Sequence, residues 1–216
     1  MRKIAVIGLG QFGSNLAARL TALGCQVLAI DQNEARVSRI RNSVDRAVIL
    51  DARDYEALAS VLTKDFDSAI VSLGESIEAS VLCTLHLKKI GVPSIRAKAI
   101  NEDHAEILKA VGADQVIFPE RETALRVAAQ ILNPNLLDFV PLAEEYQVIE
   151  VMAPKAFHGH SLQELDIRKR FNVLIIAVKR RERDDFEFLP GPDFVIKPED
   201  VLVALGTKTD LERMVG

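Results

Sequence analysis

Short apolar runs alternate with longer amphipathic segments from the N-terminus to about residue 131. The runs are rich in Val, Ile and Ala, and they predict strands at residues 4–8, 27–31, 47–50, 68–72, 94–98 and 115–118. In the segments between them, such as 12–23 and 77–90, apolar residues recur every three or four positions, which predicts helices. This alternation is typical of a parallel sheet covered by helices on both faces. The pattern therefore predicts an α/β, doubly wound domain over residues 1–132.

The pattern changes after Ile131. Asn133-Pro134-Asn135 interrupts the helical periodicity, and the following residues mix apolar and acidic side chains with a further proline, so residues 133–145 are interpreted as a linker. Beyond the linker, strands are predicted at 148–152, 173–179, 186–188 and 201–206, with helical segments at 161–166 and from Thr209. Residues 146–216 thus form a small α+β domain in this interpretation. A module of this size is marginally stable alone, which favours dimerisation.

A glycine-rich loop follows the first predicted strand and reads Gly8-Leu9-Gly10-Gln11-Phe12-Gly13. In such a loop Gly8 allows a tight turn, Gly10 lets a phosphate approach the backbone, and Gly13 lets the next helix pack closely on the strand. Asp31 ends the second strand at the spacing where a carboxylate accepts hydrogen bonds from ribose hydroxyls, and its charge would repel a 2′-phosphate. The combination predicts a Rossmann nucleotide-binding domain that does not favour NADP.

Further candidate residues follow the other strands, at the edge where open parallel sheets bind ligands. We expect the base, ribose and phosphates of a nucleotide near Gln32, Asn33, Asp51, Ala52, Ser72, Leu73, Gly74 and Lys98. Alternatively, Asp51, Ser72 and Gly74 only begin the helices that follow, since Asp and Ser are favoured helix caps and Gly is an acceptable one. One residue can serve both purposes.

Composition and charge narrow the class of protein. Hydrophobic residues make up 49% and charged residues 27%, which is ordinary for a globular chain. The net charge of -4, without a block of like charges, predicts no nucleic-acid partner. No apolar run approaches the roughly 20 residues that cross a bilayer, and no secretory signal is recognisable, so a cytoplasmic protein is expected. Cys25 and Cys83 form no C-x-x-C pair, and neither a zinc site nor a disulfide is predicted.

Recognisable catalytic groups are missing from the sequence. His86 and His104 fall in predicted helices and are interpreted as surface residues, and His158-Gly159-His160 has no nearby cysteine to complete a metal site. There is no Ser/His/Asp order and no Tyr-x-x-x-Lys pair. A dehydrogenase needs an acid or base beside the nicotinamide, so the pattern favours a nucleotide sensor over an enzyme. A small NAD-dependent oxidoreductase and a free-standing nucleotide sensor remain the alternatives.

The chain resembles the cytosolic regulatory subunits of bacterial potassium uptake systems, of the TrkA and KtrA type. The resemblance rests on the loop Ile7-Gly8-Leu9-Gly10-Gln11-Phe12-Gly13, on Asp31 followed by Asn33-Glu34, on Gly112-Ala113-Asp114 leading to Phe118-Pro119-Glu120, and on residues 200–206. It implies an RCK (regulator of potassium conductance) N-domain and an RCK C-domain. It further implies homodimers that assemble as an octameric ring on the inner face of the membrane, under a potassium-translocating subunit, with ATP or ADP controlling transport.

The same resemblance implies roles for individual residues. Asp31 and Asn33 would hold the ribose, Asp51, Ala52, Ser72, Leu73 and Gly74 would surround the adenine, and Lys98 would approach a phosphate. Glu120 would lie at the dimer interface and help to bind Mg²⁺ or Ca²⁺ near the terminal phosphate, since these cations prefer carboxylate and phosphate oxygens.

Two positions keep the choice of ligand open. Gln11 stands where KtrA-type subunits typically have an arginine that contacts terminal phosphates, so ATP, ADP, AMP and NAD(H) all remain candidates. In some relatives the C-domain binds cyclic di-AMP between two subunits. The corresponding residues here are Ile167, Arg168, Leu174, Ile175 and Pro190, but Leu174 lacks the polar group of the binders, and these residues alternatively form the core of a C-domain dimer.

Overall fold

The computed structural model describes the chain except for residues 75, 143–144, 181–184 and 216. It contains two compact units, Met1–Glu120 and Arg121–Gly216. The division falls after Glu120, earlier than the boundary predicted after residue 132. The reason lies in the second unit, where the Gln130 side chain donates a hydrogen bond to the Leu137 carbonyl and Arg126 pairs with Asp138 at 3.4 Å. The helix over Pro119–Leu132 is therefore bonded to the strand over Leu136–Pro141, and both belong to the second unit.

Within the described residues, the first unit holds a six-stranded parallel sheet, as predicted for a doubly wound α/β domain. The strands are β1 Lys3–Ile7, β2 Gln26–Asp31, β3 Arg46–Ile49, β4 Ser68–Val71, β5 Ile95–Lys98 and β6 Gln115–Ile117. Their order is β3-β2-β1-β4-β5-β6. The direction of winding reverses between β1 and β4, and ligands of such sheets bind in the crevice at the carboxyl ends of these strands.

Helices cover both faces of this sheet. They are α1 Gln11–Ala22, α2 Glu34–Ile40, α3 Tyr55–Val61, α4 Ile77–Ile90 and α5 Glu102–Ala110. The next helix, α6 Pro119–Leu132, starts at the end of this unit and belongs mostly to the second unit. Side chains of β1 alternate between two separate cores. Ala5 and Ile7 pack on one face with residues of α4 and α5, and Ile4 and Val6 pack on the other with residues of α1 and α2. This alternation explains why the strands are apolar throughout.

The interpretation of His104 as a surface residue is wrong. Its side chain is 1% exposed in α5, and both ring nitrogens lack a hydrogen-bond partner among the described residues. Burial lowers the pKa of His104, because the charged ring would lose its hydration. His86 is half-buried, with its ring edge-on to Tyr55. The Cys25 and Cys83 thiols are both free, and burial raises the pKa of Cys83.

The second unit is built on an antiparallel sheet that has five strands in the described part of the chain. The order is β10-β9-β11-β8-β7, and the strands are β7 Leu136–Pro141, β8 Tyr146–Met152, β9 Leu174–Arg180, β10 Asp185–Phe188 and β11 Val201–Thr207. After β8, the described part of this unit also contains the helices α7 Leu162–Leu165, α8 Ile167–Phe171 and α9 Lys208–Val215. This agrees with the predicted small α+β domain. Ile149, Val178 and Leu202 lie in its core together with Leu211 of α9.

Strand β7 corrects the predicted linker over residues 133–145. It pairs with β8, and Leu136 and Phe139 pack against the core. The period-2 pattern is hidden in the sequence because the pairing register shifts between Leu136 and Asp138. Pro141 ends the strand at the sheet edge, where the missing N–H costs no ladder hydrogen bond. In the described residues, no helix is both long and apolar enough to cross a membrane.

Candidate nucleotide site

The glycine loop lies at the carboxyl end of β1, where each glycine meets a different environment. Gly8 has a φ of 94°, a left-handed conformation, and a Cβ on it would stand 2.4 Å from the Ser72 carbonyl oxygen. A Cβ on Gly13 would stand 1.9 Å from the Gly8 carbonyl oxygen. By contrast, a Cβ on Gly10 would meet no described atom within 4 Å apart from those of its two chain neighbours. The first and third glycines are therefore required by packing, and the second faces open space.

Asp31 ends β2 beside this loop, and its carboxylate is 4% exposed. Its Oδ2 accepts a hydrogen bond from the Leu9 N–H at 2.7 Å, and its Oδ1 accepts one from the Asn33 N–H at 2.8 Å. Arg36 Nη1 lies 3.6 Å from Oδ2. The predicted ribose acceptor thus also holds the glycine loop against the end of β2, and its charge is balanced by an arginine of α2.

A small cavity of about 70 Å³ lies at the ends of β2, β3 and β4. It brings together five of the predicted site residues, Asp31, Gln32, Asp51, Ala52 and Leu73. Asp51 receives a forked ion pair from Arg53, with the Nη2 of Arg53 2.6 Å from Oδ2 and the Nε 3.0 Å from Oδ1. The hydrogen bonds from Arg53 hold the pKa of Asp51 below its usual range. The cavity combines apolar side chains with the carboxylates of Asp31 and Asp51, which suits a purine base that presents an amino group.

The other side of the crevice contains Lys98 and Glu120. The Lys98 stem passes close to Gly74, where a Cβ would lie 3.5 Å from the Lys98 Cε. The Lys98 ammonium donates to the Glu120 carboxylate, and this hydrogen bond holds the pKa of Glu120 below its usual range. Ser72 donates its backbone N–H to the Ile7 carbonyl, so the end of β4 is held directly beside the glycine loop. Phe12 packs half-buried against the core on the α1 and α2 face.

A second cavity, of about 400 Å³, opens on the glycine loop between α1 and α2. Gly10 and Gln11 line it, and α2 contributes Arg36 and Arg39. Sequence reasoning missed both arginines, as it missed Arg53. Their only sequence signal is position, since Arg36 and Arg39 lie on the helix that follows β2 and Arg53 lies in the loop that follows β3.

The alternative that some candidates merely cap helices is wrong for Asp51, Ser72 and Gly74. The described caps are Asp54 for α3 and Ser76 for α4, whose side chains accept hydrogen bonds from Ala57 N–H and Ala79 N–H. The three candidates therefore lie before the caps, in the loops at the sheet edge. Asn33 is different, because its side chain caps α2 by accepting from the Arg36 N–H at 3.1 Å.

The residues predicted to bind a metal ion or cyclic di-AMP do not form a compact site as the nucleotide residues do. Within the described residues, no cluster of three or more His, Cys, Asp or Glu side chains could hold a metal ion, and Glu120 already faces the Lys98 ammonium. A divalent cation at Glu120 would need phosphate oxygens from a ligand to complete its shell. In the second unit, Ile167 and Ile175 belong to the core, while Leu174 is 45% exposed. A shared cyclic di-AMP surface stays a prediction.

Comparison with known proteins assigns the chain to a family. The TrkA-N domain model matches residues 4–119, and the TrkA-C domain model matches residues 147–215. The chain is 38% identical over 212 residues to Ktr system potassium uptake protein C of Bacillus subtilis, covering 98% of this chain and 95% of the relative. It is 32% identical to Ktr system potassium uptake protein A of Vibrio alginolyticus, covering 97% and 94%.

Solved structures share the fold. The GsuK channel bound to NAD aligns with 100% of this chain at a TM-score of 0.67 and 21% identity, and this chain spans 39% of that channel chain. Together, the two domain models in tandem and the near full-length similarity to the Bacillus protein show that this chain belongs to the TrkA/KtrA-type family of potassium uptake proteins, with a TrkA-N domain followed by a TrkA-C domain.

Proposed function

We propose that this chain is a nucleotide-binding regulatory subunit of a potassium uptake system. The observation that carries the proposal is the glycine loop at the switch point of β1 and β4, with open space over Gly10 and the base cavity beside Asp31, in a chain 38% identical to a Ktr potassium uptake protein. These features support nucleotide binding, and the similar Ktr proteins are potassium uptake proteins.

The ligand in this proposal is an adenine nucleotide. Asp51 at the rim of the base cavity accepts hydrogen bonds, as the amino group of adenine requires, and the first-turn N–H groups of α1 face the phosphates. ATP and ADP are the first candidates, with NAD(H) and AMP as alternatives. The GsuK channel, which has the same fold, has been solved with NAD bound. Mg²⁺ or Ca²⁺ would join at Glu120 once a terminal phosphate supplies further oxygens.

Regulation in this proposal works by population shift. A bound nucleotide changes the conformation of an assembly only by the difference in its affinity for two states. Homodimers that assemble as an octameric ring, attached to a potassium-translocating subunit at the cytoplasmic face of the membrane, would convert that difference into opening or closing. The chain performs no chemistry on the nucleotide in this mechanism, which distinguishes it from an oxidoreductase.

The test uses Gly10→Ala, because this change adds one methyl group in open space at the place where the phosphate must approach. Gly10 has a φ of -66°, which alanine adopts readily, so the fold is expected to persist. Isothermal titration of the full chain with ATP, ADP, AMP and NADH should show binding of at least one nucleotide, weakened about tenfold or more by Gly10→Ala, because close approach to the backbone is lost.

Gly191→Ala is the matched control, since Gly191 also faces open space among the described residues but lies in the second unit. It should bind like the wild type. Absence of binding to all four nucleotides, or full affinity in Gly10→Ala, would contradict the proposal. Co-purification from detergent extract then separates a transport subunit from a free-standing sensor, because only the former should carry a polytopic membrane protein with it.

A further inference from the structure

The cavity between α1 and α2 has the charge of an anion site. Arg36 and Arg39 both line it, together with the polar side chains of Gln11, Ser14 and Asn15, and the described lining contains no Asp or Glu. A concave surface with two guanidinium groups and no carboxylate is the arrangement that proteins use for phosphate. At about 400 Å³, the cavity has ample room for a phosphate group.

The helix that opens this cavity is capped differently from its neighbours. Gly10 is the N-cap of α1 and has no side chain to accept a hydrogen bond, and the first turn contains no acidic residue. In α2, α3, α4 and α5, by contrast, an Asn, Asp or Ser side chain accepts a first-turn N–H and an acidic residue lies in the first turn. The N–H groups of α1 thus add donors and a partial positive charge to the two arginines.

Asp31 does not cancel this positive charge. Its carboxylate is buried and accepts hydrogen bonds from the N–H groups of Leu9 and Asn33 in addition to its ion pair with Arg36. Arg39 lies three residues after Arg36 on the same helix, and neighbours at this spacing share one helix face. The pair therefore presents one guanidinium that balances Asp31 and a second that adds net positive charge to the cavity.

We infer that this cavity binds a phosphate group of the bound nucleotide, held by Arg39, Arg36 and the first turn of α1. The inference rests on the proposed function and deepens it. Arg39 then supplies, from within the same chain, the charge that Gln11 lacks. It also reverses the expectation that Asp31 excludes a 2′-phosphate, because Arg36 balances that carboxylate. The phosphate can be the terminal one of ATP or the ribose phosphate of NADPH.

The experiment compares ligand pairs that differ by one phosphate, ATP with ADP and NADPH with NADH, by isothermal titration of the full chain. In the wild type, the additional phosphate should raise affinity about tenfold in one pair, the effect of a charge-assisted hydrogen bond. Arg39→Gln should reduce that ratio to near one and leave the affinity for the partner without the phosphate unchanged. The pair that responds identifies the source of the phosphate.

Arg41→Gln is the control, because Arg41 lies in the short helix just after α2 and outside the cavity, and its loss removes the same charge from the chain. It should retain the wild-type ratio. Equal affinities within both pairs in the wild type, or an unchanged ratio in Arg39→Gln, would overturn the inference while nucleotide binding itself, and with it the proposed function, still stands.

Discussion

Gly13→Ala should destabilise the first unit by forcing α1 away from the glycine loop. The added Cβ would stand 1.9 Å from the Gly8 carbonyl oxygen and 3.1 Å from its carbon, and real Cβ atoms essentially never come closer than 3.0 Å to a neighbour. The helix must therefore move by about 1 Å away from the loop, and both contacting atoms belong to backbone that cannot rotate away. Overpacking of this kind costs roughly 1–3 kcal/mol.

Thermal unfolding measures this cost. For a unit of this size, 1 kcal/mol corresponds to a shift of roughly 4 °C in the unfolding midpoint, so Gly13→Ala should unfold about 4–12 °C below the wild type in a circular dichroism or calorimetric scan. Gly10→Ala is the matched control, because its Cβ meets no described atom within 4 Å, and it should unfold near the wild-type temperature. Equal midpoints for Gly13→Ala and the wild type would refute the close approach of α1 to the loop.

Two further predictions concern ionisable groups. Lys98→Met should raise the pKa of Glu120 towards its usual 4.5, because the hydrogen bond from Lys98 is the main cause of the lowered pKa. NMR titration of the Glu120 carboxyl measures this change. An unchanged pKa would disprove the pairing. Since the folded-state pKa of His104 is lowered, the unfolded chain takes up a proton first as pH falls below about 6.5, and the folded state loses stability. His104→Leu should reduce the fall in urea-unfolding free energy between pH 7.5 and 5.5, whereas an identical fall in both proteins would contradict burial of the neutral ring.

The sequence predicted the first unit well because its signals are local. Each strand is a short apolar run. The conformation of the glycine loop is set by its glycines, because a Cβ on Gly8 or Gly13 would clash with neighbouring backbone. Strand β7 escaped prediction because its pairing register shifts and because Asp138 and Pro141 are residues typical of a sheet edge, a position that the sequence does not reveal. His104 escaped for a related reason, since burial on α5 depends on which helix faces meet after folding.

Asp31 shows which roles of a site residue a sequence motif can predict and which it misses. Its spacing from the glycine loop predicted a ribose acceptor, and the structure places it at the edge of the base cavity. Its carboxylate also binds the Leu9 and Asn33 N–H groups, so its removal would leave the buried Leu9 N–H unpaired, at a cost of about 1–3 kcal/mol, and would release the Asn33 N–H. Lost binding in an Asp31→Ala variant would then report a disturbed loop as readily as a lost ribose contact. Gly10 and Arg39 are better probes, because Gly10 has free space around it, Arg39 lies exposed on α2, and changes there test the phosphate alone.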